Sequence, residues 1–287
     1  MSRQPTALPS DFVQTEPALG ILRLAALIAE ADAEPDAESL DAMSAQVGAQ
    51  VFDAVDAAKI WPELARGLMA RAPSRMVRLL RDCGALAQFL PETAALFGVP
   101  QITDEASPVD IGEHLLKALD EAALCAAPLE ARFALLVMNV GKADSPAEHL
   151  PSHYRHVERG IPRLEAICRR LRTPPECREL AMLALGECER VHRVSKARAG
   201  PVAALLERLG AFDAPERFLL LMQVCACDYR AYGERSGAPY PKAELLDVAR
   251  RACRAVGEDG GAATAQGARA EAIARAFGSR RWSQETS

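Results

Sequence analysis

Polar side chains that can bind a ligand follow an apolar segment in the middle of the chain. Apolar residues dominate positions 129–140, which predicts a buried helix, and Gly141 is expected to end it. Asn139, Lys142 and Asp144 lie at or just beyond that end. The segment is therefore expected to present hydrogen-bonding and charged groups where the chain leaves the core, as the helix of an active site does.

Two groups of basic residues could contact the phosphates of a nucleic acid. The first consists of Arg155, Arg159, Arg163, Arg169, Arg170 and Arg172, and the second, around His192, of Arg190, Arg193, Lys196 and Arg198. Glutamates are interleaved with both groups, a pattern that is typical of a solvated helix face. The sequence alone leaves both interpretations open, an RNA-binding surface and a solvated face.

Eight cysteines are spread over the chain. None belongs to a Cys-x-x-Cys pair of the zinc-ribbon or redox type, so we expect most of them to be small core residues in a reducing cytoplasm. Cys225 and Cys227 are two positions apart, which places them on different faces of a helix. A metal shared by these two cysteines is therefore not expected.

The composition predicts an all-α, multi-helical protein. Hydrophobic residues make up 49% and charged residues 25% of the 287 positions, which is ordinary for a globular protein with a sizeable core. Aromatic residues are only 5%, and alanine, leucine, arginine and glutamate dominate, which favours helices packed on helices. The net charge of −5 provides no general attraction for nucleic acid, so DNA is not an expected partner and RNA would need a local basic patch. No segment indicates a secretory signal or a membrane span.

Proline and glycine positions divide the chain into predicted elements. Residues 1–15 are expected to be a flexible leader and Gly257 to Gly267 a linker. The first helix is predicted from Pro17 to about residue 30, and the second over 39–57 with Ser39 at its cap. Further helices are predicted over 61–71, 73–84, 112–124, 173–190, 201–210, 215–232 and 269–277. A basic tail follows the last helix.

A family resemblance is found between the N-terminal and central helices. The sequence reads Leu-Arg-Asp-Cys-Gly-Ala-Leu from Leu80, Phe-Leu-Pro-Glu from Phe89 and Ala-Leu-Phe-Gly-Val-Pro from Ala95. This order resembles the joint between neck and body in the bacterial CCA-adding enzymes, the tRNA nucleotidyltransferases. Weaker similarity begins at Leu22 and at Lys59, so that the resemblance extends over roughly residues 16–285.

The resemblance implies four parts. They are the leader (1–15), a neck-like helical domain (16–98), a degenerate HD-like helical domain (99–255) and the linker with the C-terminal helix and basic tail (256–287). In an HD domain an isolated histidine, an adjacent His-Asp pair and a distant aspartate bind one divalent metal. The resemblance places the candidate pocket at His114, Met138, Asn139, Lys142, Asp144, His153, His156, His192, Asp228 and Arg230.

The central His-Asp pair of that motif is replaced. His114 matches the isolated histidine and Asp228 the distant aspartate, but Met138 and Asn139 stand where the pair belongs. A thioether suits soft metals, and a neutral amide is a poorer ligand for hard cations than a carboxylate. We therefore expect no bound metal or other cofactor, with His114 and Asp228 as the remaining weak candidates; the alternative is a divalent ion, Mg, Mn, Ni or Zn.

Other substitutions follow along the chain. His153, His156 and His192 match histidines of the family, whereas Cys188 and Glu189 replace a second His-Asp pair.

A purely structural interpretation of the same residues is also open. In it, Met138 fills the core, Asn139 forms a hydrogen bond at a helix end, and Asp228 is a buried acid that pairs with an arginine such as Arg132 or Arg230.

The resemblance also implies lost activity. The family's nucleotidyltransferase head would precede residue 1, and its base-selecting neck motif is reduced here to residues 15–20, without the arginine. We expect a cytoplasmic pseudoenzyme that adds no nucleotides and serves as a binding or scaffold module, with tRNA, another RNA or a protein as its partner. The alternative is a divergent HD-type phosphohydrolase, a phosphatase or cyclic phosphodiesterase. RNA or phosphate contacts are expected at Arg155, Arg159, Arg169, Arg170 and Arg172.

Overall fold

Helices dominate the computed structural model, which describes residues 16–48, 50–52, 55–103, 107–196, 198–256 and 262–284. The α-helices are α1 (Pro17–Ala31), α2 (Ala37–Val47), α3 (Ala57–Leu68), α4 (Pro73–Asp82), α5 (Ala85–Phe89), α6 (Pro91–Ala94), α7 (Ile111–Leu124), α8 (Leu129–Val137), α9 (His156–Leu171), α10 (Pro175–Arg193), α11 (Ala199–Arg208), α12 (Pro215–Arg230), α13 (Pro241–Ala252) and α14 (Ala262–Gln284). Short 3-10 helices lie at Val140–Lys142, Ala147–His149 and Cys253–Ala255. The prediction of an all-α protein is confirmed. Within the described ranges, no helix is long and apolar enough to cross a membrane.

One small hairpin interrupts the helices. Strand β1 (Pro100–Gln101) pairs antiparallel with β2 (Val109–Asp110), and Pro100 lies opposite Asp110. The Asp110 side chain then accepts a hydrogen bond from the backbone N–H of Glu113 and caps α7. The hairpin thereby fixes the start of α7, the helix that contains His114.

Prolines and aspartates determine where helices begin. Proline occupies the first turn of α1, α4, α6, α10, α12 and α13, where its missing N–H has no helical partner to lose. Asp36 caps α2 by accepting from the backbone N–H of Ser39, and Asp56 caps α3 in the same way. The prediction of Ser39 as the cap was wrong by one turn, because Asp36 provides the carboxylate acceptor and Ser39 the donor.

Several predicted boundaries were wrong. The helix predicted over 39–57 ends at Val47, and a new helix begins after Asp56. Near the predicted site, the α-helix ends at Val137 and the chain continues as the 3-10 turn Val140–Lys142. The last turn before the candidate pocket is therefore tighter than an α-helix.

The C-terminal predictions divide between described and undescribed residues. Gly267 lies within α14, so the predicted linker is wrong in its second half. Residues 257–261 and the predicted leader 1–15 lie outside the described residues, and so do the side chains of the predicted basic tail. The alanines around Gly267 favour the helix more than one glycine disfavours it.

Helix α8 lies at the centre of the core. All residues from Ala131 to Val137 are buried, and the helix packs against α3, α7, α10 and α12. The Trp61 ring contacts the Phe133 ring edge to face, with centroids 5.3 Å apart. One continuous apolar core joins residues on both sides of position 98, and the predicted division there stays a prediction.

A buried charge joins α8 to the N-terminal helices. The Arg132 guanidinium is 4% exposed and donates hydrogen bonds to the backbone oxygens of Ala127, Leu68 and Ala70, at 2.8, 2.8 and 2.9 Å. Burial lowers the pKa of Arg132. Because Leu68 ends α3, the guanidinium satisfies carbonyl groups that this helix leaves unpaired.

Candidate functional site

A cavity of about 610 Å³ opens beside the C-terminal end of α8. Its wall includes Met138 and Asn139 after α8, Lys142 of the 3-10 turn, and His156 at the start of α9. Helices α10, α12 and α13 close the other side, with side chains that include Cys188, Glu189, His192, Arg193, Asp228, Tyr229, Tyr240 and Lys242. Seven of the ten candidate pocket residues line this one cavity.

Asp228 is the centre of a buried hydrogen-bond network. Its Oδ1 accepts from His114 Nε2 at 2.9 Å, and its Oδ2 accepts from His192 Nε2 at 3.0 Å. His114 is 1% exposed and does not line the cavity; its ring is stacked on Tyr232, with centroids 3.9 Å apart. The expected pairing of Asp228 with an arginine was wrong.

The two arginines considered for that pairing have other partners. Arg132 binds backbone oxygens of the core, and Arg230 Nε donates to the Ala238 oxygen at 2.8 Å. Arg230 does not line the cavity, so its placement among the pocket candidates was also wrong. The partner of Asp228 on α7 is His114, which lies 114 positions earlier in the sequence. Spacing alone does not reveal a contact over that separation.

The network favours charge on Asp228 and His192. Burial opposes ionisation of Asp228, yet His114 and His192 hold its pKa well below its usual range. Burial also opposes protonation of His192, but Cys188 and Asp228 raise its pKa to about 10. The hydrogen bond with Cys225 and burial raise the pKa of the Cys188 thiol far above its usual range, so Asp228 is the charge that matters for His192 at neutral pH.

Glu189 organises the opposite wall. Its carboxylate lies 3.1 Å from Lys142 Nζ, 2.8 Å from Arg193 Nη2 and 3.5 Å from His156 Nε2. Although burial opposes ionisation, Lys142 lowers the pKa of Glu189. The single acid therefore balances the buried Lys142 ammonium and positions it at the cavity.

His156 is a neutral imidazole at the cavity wall. Its Nδ1 donates to the backbone oxygen of His153 at 3.2 Å, which leaves the lone pair on Nε2. Burial, and then the charge of Lys142, lower the pKa of His156 to about 4. His156 can therefore accept a proton or a hydrogen bond at neutral pH.

His153 is used to fix the loop before α9. Its Nε2 donates to the Pro100 oxygen at 2.8 Å, and its Nδ1 accepts from Ser145 Oγ at 2.8 Å. Burial lowers the pKa of this histidine. His153 lines the cavity, but both of its ring nitrogens are already hydrogen-bonded within the protein. It therefore forms part of the wall and offers no free nitrogen to a ligand.

Asp144 was wrongly predicted as a pocket residue. It forms an ion pair with Arg163, is 55% exposed and does not line the cavity. Met138 and Asn139 do line it, and they are 5% and 8% exposed. The side chain of Asn139 forms no cap on the 3-10 turn, contrary to the structural interpretation of that residue.

A metal of the HD type does not fit the residues at the motif's positions. The two ligands that remain, His114 and Asp228, are hydrogen-bonded to each other, and His114 Nδ1 is buried without a hydrogen-bond partner. Met138 and Asn139 add a thioether and a neutral amide. This donor set lacks the second carboxylate and the second imidazole that would hold a hard divalent cation.

Sequence reasoning missed the cations and tyrosines of the far wall. Arg235 and Lys242 line the cavity together with Tyr229, Tyr232 and Tyr240. Tyr229 lies at the end of α12 and Lys242 at the start of α13, a helix that was not predicted, and the other three residues lie between the two helices. A proline following a tyrosine at 240–241 was the available signal for a helix start.

The candidate RNA residues fall into two groups. Arg159 donates to the oxygens of Gly141 and Tyr154 and to Ser145 Oγ, while Arg170 binds the Phe89 oxygen and Glu92. These two arginines hold the fold together. The other three, Arg155, Arg169 and Arg172, are exposed on or beside α9.

Two glycines allow the site's elements to approach each other. A Cβ on Gly141 would lie 1.9 Å from the His156 oxygen and 2.6 Å from the Gly160 nitrogen. A Cβ on Gly160 would lie 2.7 Å from Leu185 Cδ1. The 3-10 turn therefore meets the first turns of α9 backbone to backbone, and this contact brings Lys142 and His156 to one cavity.

The chain is similar to bacterial proteins named multifunctional CCA proteins. The chain is 43% identical over 228 residues to a "Multifunctional CCA protein" of Chromobacterium violaceum, which covers 79% of the chain and 56% of that protein. It is 44% identical over 238 residues to proteins of the same name in Burkholderia mallei and Burkholderia pseudomallei, which covers 83% of the chain and 57% of each relative. The chain thus spans somewhat more than half the length of the curated relatives it matches. No protein-family profile matches the sequence.

Proposed function

Because this chain is a relative of the multifunctional CCA proteins and spans part of their length, we propose that it is a non-catalytic binding module for tRNA. The proposed contact is between the phosphate groups of the RNA and the cavity beside α8. The observation that supports it is the charge of the cavity wall. Four cations, Lys142, Arg193, Arg235 and Lys242, line the cavity with two carboxylates, Glu189 and Asp228.

The cavity also has groups that suit a nucleotide. Three tyrosines lie on one wall, and aromatic rings stack on bases without sequence preference. Arg193 and Lys242 lie at the outer part of the wall, where they are more exposed than Lys142. Positive groups and aromatic rings in one cavity suit an RNA end more than a long duplex.

The non-catalytic role is supported by the state of the motif's remaining ligands. His114 and Asp228 satisfy each other at 2.9 Å, and His192 occupies the second carboxylate oxygen. Asp228 already accepts one hydrogen bond on each oxygen inside the protein, which reduces what it can offer to a substrate or a metal.

The arginines on the outer face extend the proposed RNA surface. Arg155 and Arg172 are exposed by 58% and 67%, and Arg169 lies on the same exposed stretch. Their ion pairs with Glu158 and Asp56 lie at the surface and are worth little, so a phosphate can replace the carboxylate partner.

A salt series with matched variants tests the proposal. Binding of tRNA to the wild type is expected to weaken as salt rises, with a slope that counts the phosphates engaged. Arg193→Ala and Lys242→Ala should each weaken binding and reduce the slope by about one. Arg251→Ala is the control, because this exposed arginine lies on the same helix as Lys242 but outside the cavity wall. Equal losses in all three variants, or no tRNA binding at low salt, would contradict the proposal and favour a protein partner.

One observation favours the alternative, a phosphohydrolase. Neutral His156 presents its Nε2 lone pair beside the Lys142 ammonium, and such a pair can accept a proton from water near a phosphate. Hydrolysis of a 2′,3′-cyclic nucleotide, assayed with Mg²⁺, Mn²⁺ and Ni²⁺ in turn, distinguishes the two functions. Activity that His156→Asn abolishes would replace the binding module by the enzyme.

We also propose that the protein acts in the reducing cytoplasm. All eight cysteines are unpaired, and seven of them are buried, which supports a compartment that keeps thiols reduced.

A further inference from the structure

We propose that Cys188, His192 and Cys225 form a Zn²⁺ site in the wall of the cavity, with its open coordination position towards the cavity. The site goes beyond the proposed RNA binding and uses residues other than the central pair of the HD motif. The sulfur atoms of the two cysteines and a ring nitrogen of His192 all lie within 4.8 Å of one another.

The distances between these atoms are close to those of a zinc tetrahedron. Cys188 Sγ is 3.5 Å from Cys225 Sγ and 3.3 Å from His192 Nε2. Zinc bonds of about 2.3 Å to sulfur and about 2.0–2.1 Å to nitrogen put two sulfurs about 3.8 Å apart, and a sulfur and a nitrogen about 3.5 Å apart. Cys188 Sγ would therefore need to move only a few tenths of an ångström away from Cys225 Sγ and from His192 Nε2.

The helices hold the ligands without help from a loop. Cys188 and His192 are four residues apart on α10, so they lie on one face of the helix, one turn from each other. Cys225 lies on α12, which packs against α10, and its side chain is completely buried. Because packed helices vary little in separation, the trio is preorganised for a metal.

A further contact orients the histidine. Tyr240 Oη lies 2.7 Å from His192 Nδ1, while Nε2 points to the sulfur of Cys188. Once the Nε2 proton that lies between His192 and Asp228 is released, Nδ1–H donates to the tyrosine oxygen and the Nε2 lone pair is free for a metal beside Cys188 Sγ. Hydrogen bonds of this kind fix the ring orientation of metal-binding histidines.

The position of the cavity determines where the fourth zinc ligand comes from. Cys188 and His192 line the cavity and Cys225 lies behind them, so the fourth zinc ligand would come from the cavity as water or an anionic group. Two thiolates and an imidazole suit Zn²⁺ and disfavour Mg²⁺ and Mn²⁺. Each thiol gives its proton to solvent as its sulfur–zinc bond forms, and the Nε2 proton that now lies between His192 and Asp228 is likewise released.

Cobalt replaces zinc as a spectroscopic probe of the site. We expect the reduced protein to bind one Co²⁺ per chain, with a thiolate-to-cobalt charge-transfer band that Zn²⁺ abolishes by displacement. Mutation of a residue that hydrogen-bonds to a metal ligand typically weakens metal affinity by about 10–100-fold. Cys188→Ser and Cys225→Ser each remove a ligand itself, so each should weaken Co²⁺ binding by more than that.

Cys227→Ser is the matched control. Cys227 is as buried as Cys225 and lies on the same helix, but its sulfur contacts Cys125 at 3.6 Å on another face. This variant should bind Co²⁺ like the wild type, and circular dichroism should show all variants folded. Absence of the charge-transfer band in the wild type, or equal loss in the Cys227→Ser and Cys225→Ser variants, would overturn the proposal. Neither result depends on tRNA, so the metal site and the RNA-binding function fail separately.

Discussion

Restoring the central pair of the HD motif tests whether the remaining residues still form its site. In the double variant Met138→His and Asn139→Asp, an imidazole and a carboxylate would join the cavity wall that contains Asp228. Both positions are buried, at 5% and 8% exposure. New polar groups there should lower the free energy of unfolding by about 1–3 kcal/mol in the absence of metal.

A metal that binds only the folded state should reverse that loss. At a Mn²⁺ concentration 100 times Kd the gain is about 2.7 kcal/mol. For 287 residues with an unfolding entropy of about 2.1 cal/mol/K each, 1 kcal/mol corresponds to about 1.7 °C. The melting temperature of the double variant should therefore rise by about 4–5 °C with Mn²⁺ and fall back with EDTA. Mn²⁺ is the appropriate ion because a site with two thiolates disfavours it.

Single variants provide the control. Met138→His alone and Asn139→Asp alone supply only one ligand each, so their melting temperatures should not respond to Mn²⁺, and the wild type should not respond either. The new metal must also compete with His114 and His192 for Asp228, at 2.9 and 3.0 Å. A response in the wild type would refute the claim that its motif positions do not fit a metal. No response in the double variant would show that these side chains do not converge on one point.

Three further changes have defined outcomes. The pKa of His156 is lowered to about 4 in the folded protein from its usual 6.5, so the unfolded chain binds more protons between these pH values. The free energy of unfolding should therefore rise with pH in this range by up to about 1.4 kcal/mol per unit. Chemical denaturation should show a flatter slope for His156→Gln than for the wild type, and equal slopes in the two proteins would contradict this lowered pKa. Gly141→Ala puts a Cβ 1.9 Å from a backbone oxygen and should lower the free energy of unfolding by about 3 kcal/mol or more. Gly186 lies in mid-helix, and a Cβ there meets no atom within 4 Å, so Gly186→Ala should raise it by about 0.5–1 kcal/mol. Equal melting temperatures of the two variants would refute the close approach at Gly141. Arg132→Met leaves three buried carbonyl oxygens without their donor and should lower the free energy of unfolding in urea by about 3–5 kcal/mol. A decrease below about 1 kcal/mol would show that these hydrogen bonds contribute little.

The sequence was sufficient for the fold class, because that class depends on local patterns. Apolar spacing in α8 and prolines at helix starts are properties of a few neighbouring residues. Gly267 shows the limit of such rules, since one glycine predicts a linker but surrounding alanines keep the helix.

The partners of the site residues could not be predicted in the same way. The family resemblance placed His114, His192 and Asp228 in one pocket, whereas the structural interpretation expected an arginine beside Asp228. The fold brings His114 to Asp228 from α7 and His192 from α10. The same applies to Cys188 and Cys225, whose proximity depends on the packing of two helices. Contacts of this type are set by the tertiary arrangement and leave no signal in the spacing of either residue alone.

The buried guanidinium of Arg132 has a consequence for proteolysis. Trypsin cleaves after arginine, but the peptide bond after Arg132 lies in the buried helix α8. The Arg132 side chain also binds backbone oxygens at the end of α3. Cleavage there requires α8 to leave the core and the guanidinium to release the oxygens of Leu68 and Ala70 together. The rate at which the peptide ending at Arg132 appears in native digestion therefore reports the opening that separates the first helices from α8, while exposed arginines such as Arg71 report local fraying.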